Sequence, residues 1–277
     1  MNGYDSVNGI ECVVNISEGK NKTFLDVLAN SCAESLLDVH TDRYHNRSVF
    51  TLFGSNLFQS VKLLATTAVE TLDITKHSGI HPRIGVLDVV PFCPLGTATI
   101  EQANDLRNNF AHWLWDNLGV PSFLYGDEKS LPDIRRLLRE TPTANPDIGS
   151  SSGHPTAGYC AVGARYPLVA YNMILDADIE QTKVLAKRLR SADIRTLALN
   201  ENGQSQLSFN LINPTVVGPL QVIQMVKNYY EILGTELVGL IPANVIQEYS
   251  SEELAESGIA PSCTLEYRVK IQKQTII

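Results

Sequence analysis

Leu168-Val-Ala-Tyr-Asn-Met-Ile-Leu175, followed at once by Asp176-Ala-Asp178 and a helical pattern to about residue 190, is the stretch that decides the fold. An apolar run of strand length gives way to an aspartate suited to an N-cap, so a strand passes directly into a helix. Further runs at 196–199 and 206–212 read as strands. Pro219 then opens a helix with Ile223, Val226, Tyr230 and Leu233 on one face, and a last short strand falls at 237–241. The order is βαββαβ.

It is a restart, because the chain has already run through the same order once. Working back, an apolar run at 10–15 precedes a helical pattern at 21–34, and two strand-like runs follow at 36–40 and 48–53. Asn56 is placed to cap a second helix with Leu57, Val61, Leu64 and Ala68 on one face, and 84–90 reads as the fourth strand. A longer helix near 99–117 and a strand at 122–125 extend this half. From 126 to 163 the chain is rich in Pro, Gly and Ser around one short helix near 134–139, the pattern of a functional or connecting loop. The expected fold is α+β, two ferredoxin-like βαββαβ subdomains with mostly antiparallel sheets facing a ligand cleft, divided as 1–176 and 177–277.

Composition narrows the function. At 277 residues and 44% hydrophobic content the chain can bury sizeable cores, and no apolar run approaches the ~20 residues that cross a bilayer. The opening Met1-Asn-Gly-Tyr-Asp-Ser6 has neither the basic nor the apolar region of a signal peptide, so a cytoplasmic location is expected. The five cysteines are scattered without a CxxC pair, which points to reduced thiols rather than disulfides or zinc. A net charge of −8 speaks against nucleic acid as partner. Arg135-Arg136-Leu-Leu-Arg139, the densest basic cluster, reads as one solvated helix face.

Chemistry concentrates in His77-Ser-Gly-Ile-His81-Pro82-Arg83-Ile-Gly85-Val-Leu-Asp88. Pro82 restricts the backbone of His81 just before an apolar strand, and a held imidazole that titrates near neutrality is a candidate for proton transfer. His77 and His81 have the four-residue spacing of a helical metal pair, but Gly79 and Pro82 oppose a helix and only His40, His45 or Asp88 offers a third ligand, so no metal is expected. His77 reads as a cap on the preceding helix. Gly149-Ser-Ser-Ser-Gly153 matches a nucleophile elbow in letters only, with no strand before it or helix after it, and reads as a turn.

Two polar stretches stay open on residue types alone. Gly163 and Ala164 would let a backbone approach a ligand, with Tyr171 as a stacking face and Asn172 as an amide partner; the same residues equally describe a core strand with a turn in front. The segment from Asp38 to Arg47 either surrounds His81 or is a solvated hairpin tip.

These blocks resemble the formiminotransferase domain, a folate-dependent transferase. Glu11-Cys-Val-Val-Asn15-Ile-Ser17-Glu18-Gly19 is similar to that family's ECVPNFSEG, and Leu36-Leu37-Asp38-Val39 with Asn46-Arg47-Ser-Val49-Phe50-Thr51 to its LLDVD…NRTVYTF. The histidine block follows HxGEHPRxGxxDVCPF, and Leu124-Tyr125-Gly126, Gly163-Ala164-Arg165 and Leu237-Val238-Gly239-Leu240 fall in the family's order. The resemblance implies two subdomains with folate between them, a homodimer, small-molecule substrates, and transfer of a formimino group from N-formimino-L-glutamate to tetrahydrofolate as co-substrate. It makes His81 the catalytic histidine. Its folate-binding segment falls on Gly163, Ala164, Arg165, Tyr166, Pro167, Leu168, Val169, Ala170, Tyr171 and Asn172, and His40, Asn46 and Arg83 become candidate neighbours of the site.

The chain departs from the family pattern at two acidic positions, now Ile80 and His40, and at the proline of VPNFSEG, now Val14. Losing two carboxylates removes partners that would raise the pKa of a nearby imidazole. Three readings are thereby distinguished: formimino transfer itself, a homologue with an altered one-carbon substrate, and a non-catalytic folate-binding protein.

Overall fold

The computed structural model describes residues 7–126, 129–201 and 203–275; the hexapeptide on which the absence of a leader was read lies outside the described residues. The chain forms two compact units, one of residues 7–166 and one from Pro167 onward.

The first unit threads β1 (Gly9–Ile16), α1 (Lys22–Ser31), β2 (Leu36–Asp42), β3 (Arg47–Phe53), α2 (Leu57–Thr71) and β4 (Leu87–Leu95) in the expected order. These strands lie as β2-β3-β1-β4, every pair antiparallel. Cys12, Val14 and Ile16 of β1 alternate into a core that Val61, Leu64, Ala65 and Ala68 of α2 complete from above. After α3 (Ile100–Leu118) come β5 (Ser122–Tyr125), α4 (Leu131–Glu140) and β6 (Cys160–Ala164). The last two strands join in parallel, giving a six-stranded sheet, β2-β3-β1-β4-β6-β5.

Two departures from the sequence reading fall here. β4 does not stop at Val90: it continues through Pro91 and Pro94, and all nine of its residues are buried. Two missing N–H groups forfeit about 0.5–1.5 kcal/mol each, whereas burying a side chain the size of Phe92 or Leu95 returns about 1.5–3 kcal/mol, so burial decides. β6 starts inside the stretch 126–163, which reads as loop, and ends one residue beyond it. Its five residues, Cys-Ala-Val-Gly-Ala, are too small and too few to show periodicity, yet it is the strand that links β4 to β5.

In the second unit β7 (Val169–Leu175), α5 (Ile179–Leu189), β8 (Ile194–Glu201), β9 (Gln204–Leu211), α6 (Pro219–Lys227) and β10 (Ile232–Val238) form the sheet β10-β7-β9-β8, wholly antiparallel. Asp178 caps α5 through a reciprocal bond with Gln181. Since β7 pairs with β9 and β10, the units divide at Tyr166/Pro167, ahead of the 176/177 boundary drawn from sequence. The α6 helix ends at Lys227, and β10 starts five residues earlier than the run at 237–241. Three helices unforeseen in the sequence follow, α7 (Ala243–Ile246), α8 (Ser251–Ser257) and α9 (Leu265–Thr275).

The fold is therefore mixed α+β, with two mostly antiparallel sheets. Cys12, Cys32, Cys93 and Cys160 are buried free thiols, and Cys263 is a partly buried one. Among the described residues no helix is long and apolar enough to cross a membrane.

Candidate active site

His81 lies in the irregular stretch between a 3-10 turn at Ile74–Lys76 and β4. His77 closes that turn, its N–H 3.2 Å from the Ile74 carbonyl, so it caps a separate turn and not α2. Three contacts shape the loop. Arg83 curls back and donates to the carbonyls of Gly79 (2.9 Å) and His77 (3.0 Å). Asn46, left-handed at φ 52°, accepts from the Gly19 N–H at 2.9 Å and donates to the Ser78 carbonyl at 3.0 Å. Its own carbonyl faces Nε2 of His77 at 2.8 Å. Gly79 has to be glycine because a Cβ there would stand 2.3 Å from the His45 carbonyl. The polar segment after β2 thus surrounds the histidine loop and is not a free hairpin tip.

Arg47 brings a guanidinium to His81. Its Nη1 is 2.6 Å from Nε2 and 2.8 Å from Nδ1, while Nδ1 is also 2.8 Å from the Pro82 carbonyl. A carbonyl only accepts, so Nδ1 carries the proton and the Nε2 lone pair faces Arg47. Burial first, then the charges of Arg47 and Arg135, hold the imidazole's pKa well below its usual range. The ring is neutral at physiological pH. Arg47 itself bonds neutral groups, His81 and the side-chain oxygen of Asn15, and burial lowers its pKa to about 10.

Asp88, buried in β4, accepts from the Ile84 N–H at 2.8 Å and pairs with Arg135 of α4 at 2.9 Å. Arg135 is therefore not part of a solvated face: its side chain is 21% exposed against 60% for Arg136. At the end of β2, Asp42 accepts from the N–H groups of Tyr44 (2.7 Å) and His45 (2.8 Å) and from Nδ1 of His45. Burial pulls the Asp42 carboxyl upward, but these hydrogen bonds outweigh it and leave its pKa lowered. His45, His77, His81, Arg47, Arg83 and Asp88 line a cavity of about 10 Å³, space for one water.

The structure gathers His81, Asn46 and Arg83 into one place. His40 sits on β2 opposite Val49 and does not line that cavity, and Ile80 is 42% exposed. The segment 163–172 is spread over both units. Gly163 and Ala164 are buried in β6, where the close approach at Gly163 is made by the Tyr125 ring: a Cβ would stand 2.2 Å from it. Arg165 is partly buried, its Nη1 3.0 Å from the Tyr166 carbonyl, and Tyr166 is 65% exposed. Pro167 and Leu168 lead into β7, where Val169, Ala170, Tyr171 and Asn172 lie. Tyr171 offers no stacking face: its ring is fully buried and its hydroxyl donates to the Ser257 carbonyl at 2.5 Å. Asn172 donates to Glu236 at 2.9 Å. Motif spacing offers Asp88 only as a possible third metal ligand and gives Arg47 no role, although a lone carboxylate inside an apolar strand signals a buried partner. Among the described residues no group of three or more His, Cys, Asp and Glu side chains is placed to hold a metal ion.

Fold and site together define an α+β protein of two compact units with a buried polar centre around His81, and its relatives are transferases. Residues 9–165 match the formiminotransferase domain, N-terminal subdomain. The chain is 34% identical over 270 residues to a glutamate formimidoyltransferase of Streptococcus pyogenes, covering 86% of this chain and 90% of that one. It is 28% identical over 296 residues to a glutamate formimidoyltransferase of Thermoplasma acidophilum, at 94% and 97% coverage. Against a formimidoyltransferase-cyclodeaminase of Sus scrofa it is 30% identical over 275 residues, covering 86% of this chain and 51%, about half, of that longer protein. The chain belongs to the formiminotransferase family.

Proposed function

We propose that this protein transfers the formimino group of N-formimino-L-glutamate to tetrahydrofolate, with His81 as general acid and base. The observation that carries the reading is a neutral His81 whose Nε2 lone pair is held by Arg47 at 2.6 Å. Tetrahydrofolate would supply N5 as the acceptor nitrogen. That nitrogen must lose a proton as it attacks the amidine carbon, and the departing glutamate nitrogen must gain one. A neutral imidazole can take the first proton only through a free lone pair, so Arg47 gives up Nε2 when the amine arrives. A buried guanidinium bonded only to neutral groups suits a carboxylate of the donor. Segment 163–172 as the folate site, the 177–277 region as the family's C-terminal subdomain, a homodimer and a cytoplasmic location belong to the same reading and rest on the sequence resemblance.

The replacement of acidic residues by Ile80 and His40 favours a second reading, an altered one-carbon donor or folate binding without turnover. Release of glutamate from N-formimino-L-glutamate in the presence of tetrahydrofolate separates the two, and titration calorimetry with tetrahydrofolate tests the folate site directly. His81→Ala is expected to lower turnover by ~10²–10⁴ with folding intact. A near-normal rate in that variant would remove His81 from the mechanism.

A further inference from the structure

His45 is 6% exposed, and its Nε2 is buried without a hydrogen-bond partner. Such an atom is costly to leave unmet, and here it belongs to a residue that lines the same cavity as His81. The two rings meet edge to face, with centroids 6.1 Å apart and planes at 82°. On its other side Nδ1 of His45 is bound to Asp42, which also holds the backbone N–H groups of Tyr44 and His45. A carboxylate on one ring nitrogen fixes the tautomer and stabilises a proton on the other.

We propose that Asp42 and His45 are a second proton-transfer dyad of this site, His45 supplying through Nε2 the proton taken by the departing nitrogen. The inference rests on the formimino-transfer reading and divides its acid and base between two rings. The bond from the amidine carbon to the incoming nitrogen forms as that nitrogen's proton passes to Nε2 of His81. The bond to the departing nitrogen breaks as it accepts a proton from protonated His45. One proton has then moved from the incoming to the departing nitrogen, and its passage from His81 to His45 across the cavity restores both rings. A guanidinium faces Nε2 of one ring while a carboxylate holds Nδ1 of the other, so the two imidazoles sit against groups of opposite charge.

The titratable and charged groups facing His45 are Asp42 of β2, Tyr44 with its ring 6.1 Å away, His81, and around the cavity Arg47 of β3, His77, Arg83 and Asp88 of β4. The test is the pH profile of formimino transfer in the full chain, for the native protein, His45→Gln and Asp42→Asn. The dyad requires a loss of ~10²–10⁴ in kcat for His45→Gln together with loss of the alkaline limb. In Asp42→Asn that limb moves to lower pH, because without the carboxylate the imidazolium releases its proton sooner. His45→Ala should regain rate on addition of imidazole, which a merely structural histidine would not allow. A native rate with both limbs in His45→Gln, or no recovery with imidazole in a folded His45→Ala, overturns the proposal. If the glutamine variant does not fold, proton NMR of the native protein decides: a far-downfield Nδ1 proton of His45 that vanishes in Asp42→Asn supports the dyad, and its absence overturns it. Failure of the broader reading is distinct. A native protein that shows this NMR signal but transfers no formimino group loses its donor and acceptor assignment and keeps the dyad.

Discussion

Both units thread βαββαβ into a sheet whose strands lie in the order fourth, first, third, second, yet the buried acids and imidazole, Glu11, His45 and Asp88, all belong to the first. In the second unit the buried polar residues among those described are neutral amides and hydroxyls such as Asn172, Thr182 and Gln206, around a core of Tyr171, Met173, Leu207 and Phe209. One topology thus carries two kinds of interior. A buried charge costs several kcal/mol unless it is paired, so a unit that keeps such charges must pair them or hold them for a ligand. In the first unit Asp88 is paired, whereas Nε2 of His45 is buried without a hydrogen-bond partner. Topology therefore does not tell the two interiors apart, and buried polarity does.

That contrast can be broken or sharpened by substitution. Asp88→Ala strands the Arg135 guanidinium and the Ile84 N–H together and should destabilise the first unit by about 3–5 kcal/mol in urea or thermal unfolding. An unchanged midpoint would mean that the charge is not structural. Gly163→Ala forces a methyl group into the Tyr125 ring, and overpacking of this kind costs about 1–3 kcal/mol. Tyr171→Phe in the second unit removes a neutral hydrogen bond to Ser257 and should cost only about 0.5–1.5 kcal/mol. If it cost as much as Asp88→Ala, the two interiors would not differ as described. Arg47→Gln shifts a pH profile more than a stability: with the cation gone, the His81 pKa rises, so the acidic limb of kcat/KM should move to higher pH. A limb that stays in place would show that Arg47 does not set the protonation of His81.

Much of this was legible in the chain. The apolar runs at 10–15 and 168–175, the capping aspartate at 178 and the helical spacing from Leu57 to Ala68 are local signals, and each recurs in the structure. β6 was hidden because Cys160 to Ala164 carry too little side chain to show a period, and β4 was cut short because proline is locally hostile to strands. Around the site His81, Asn46 and Arg83 came from motifs. Arg47, Asp42, Asp88 and Arg135 gain their roles from partners 3 to 47 residues away along the chain.

By itself, the sequence determined the class of fold, the repeated strand order and the histidine at the centre of the site, because periodicity, caps and motifs are written in neighbouring residues. Only the tertiary structure decided that His81 is neutral and facing Arg47, that Gly163 accommodates Tyr125 and that Tyr171 is core. It also decided that an aspartate-bound histidine stands edge-on to His81 with one nitrogen unmet. The reason is that protonation and burial depend on which groups are brought within a few ångströms in space, and the pairing of strands and helices sets that distance.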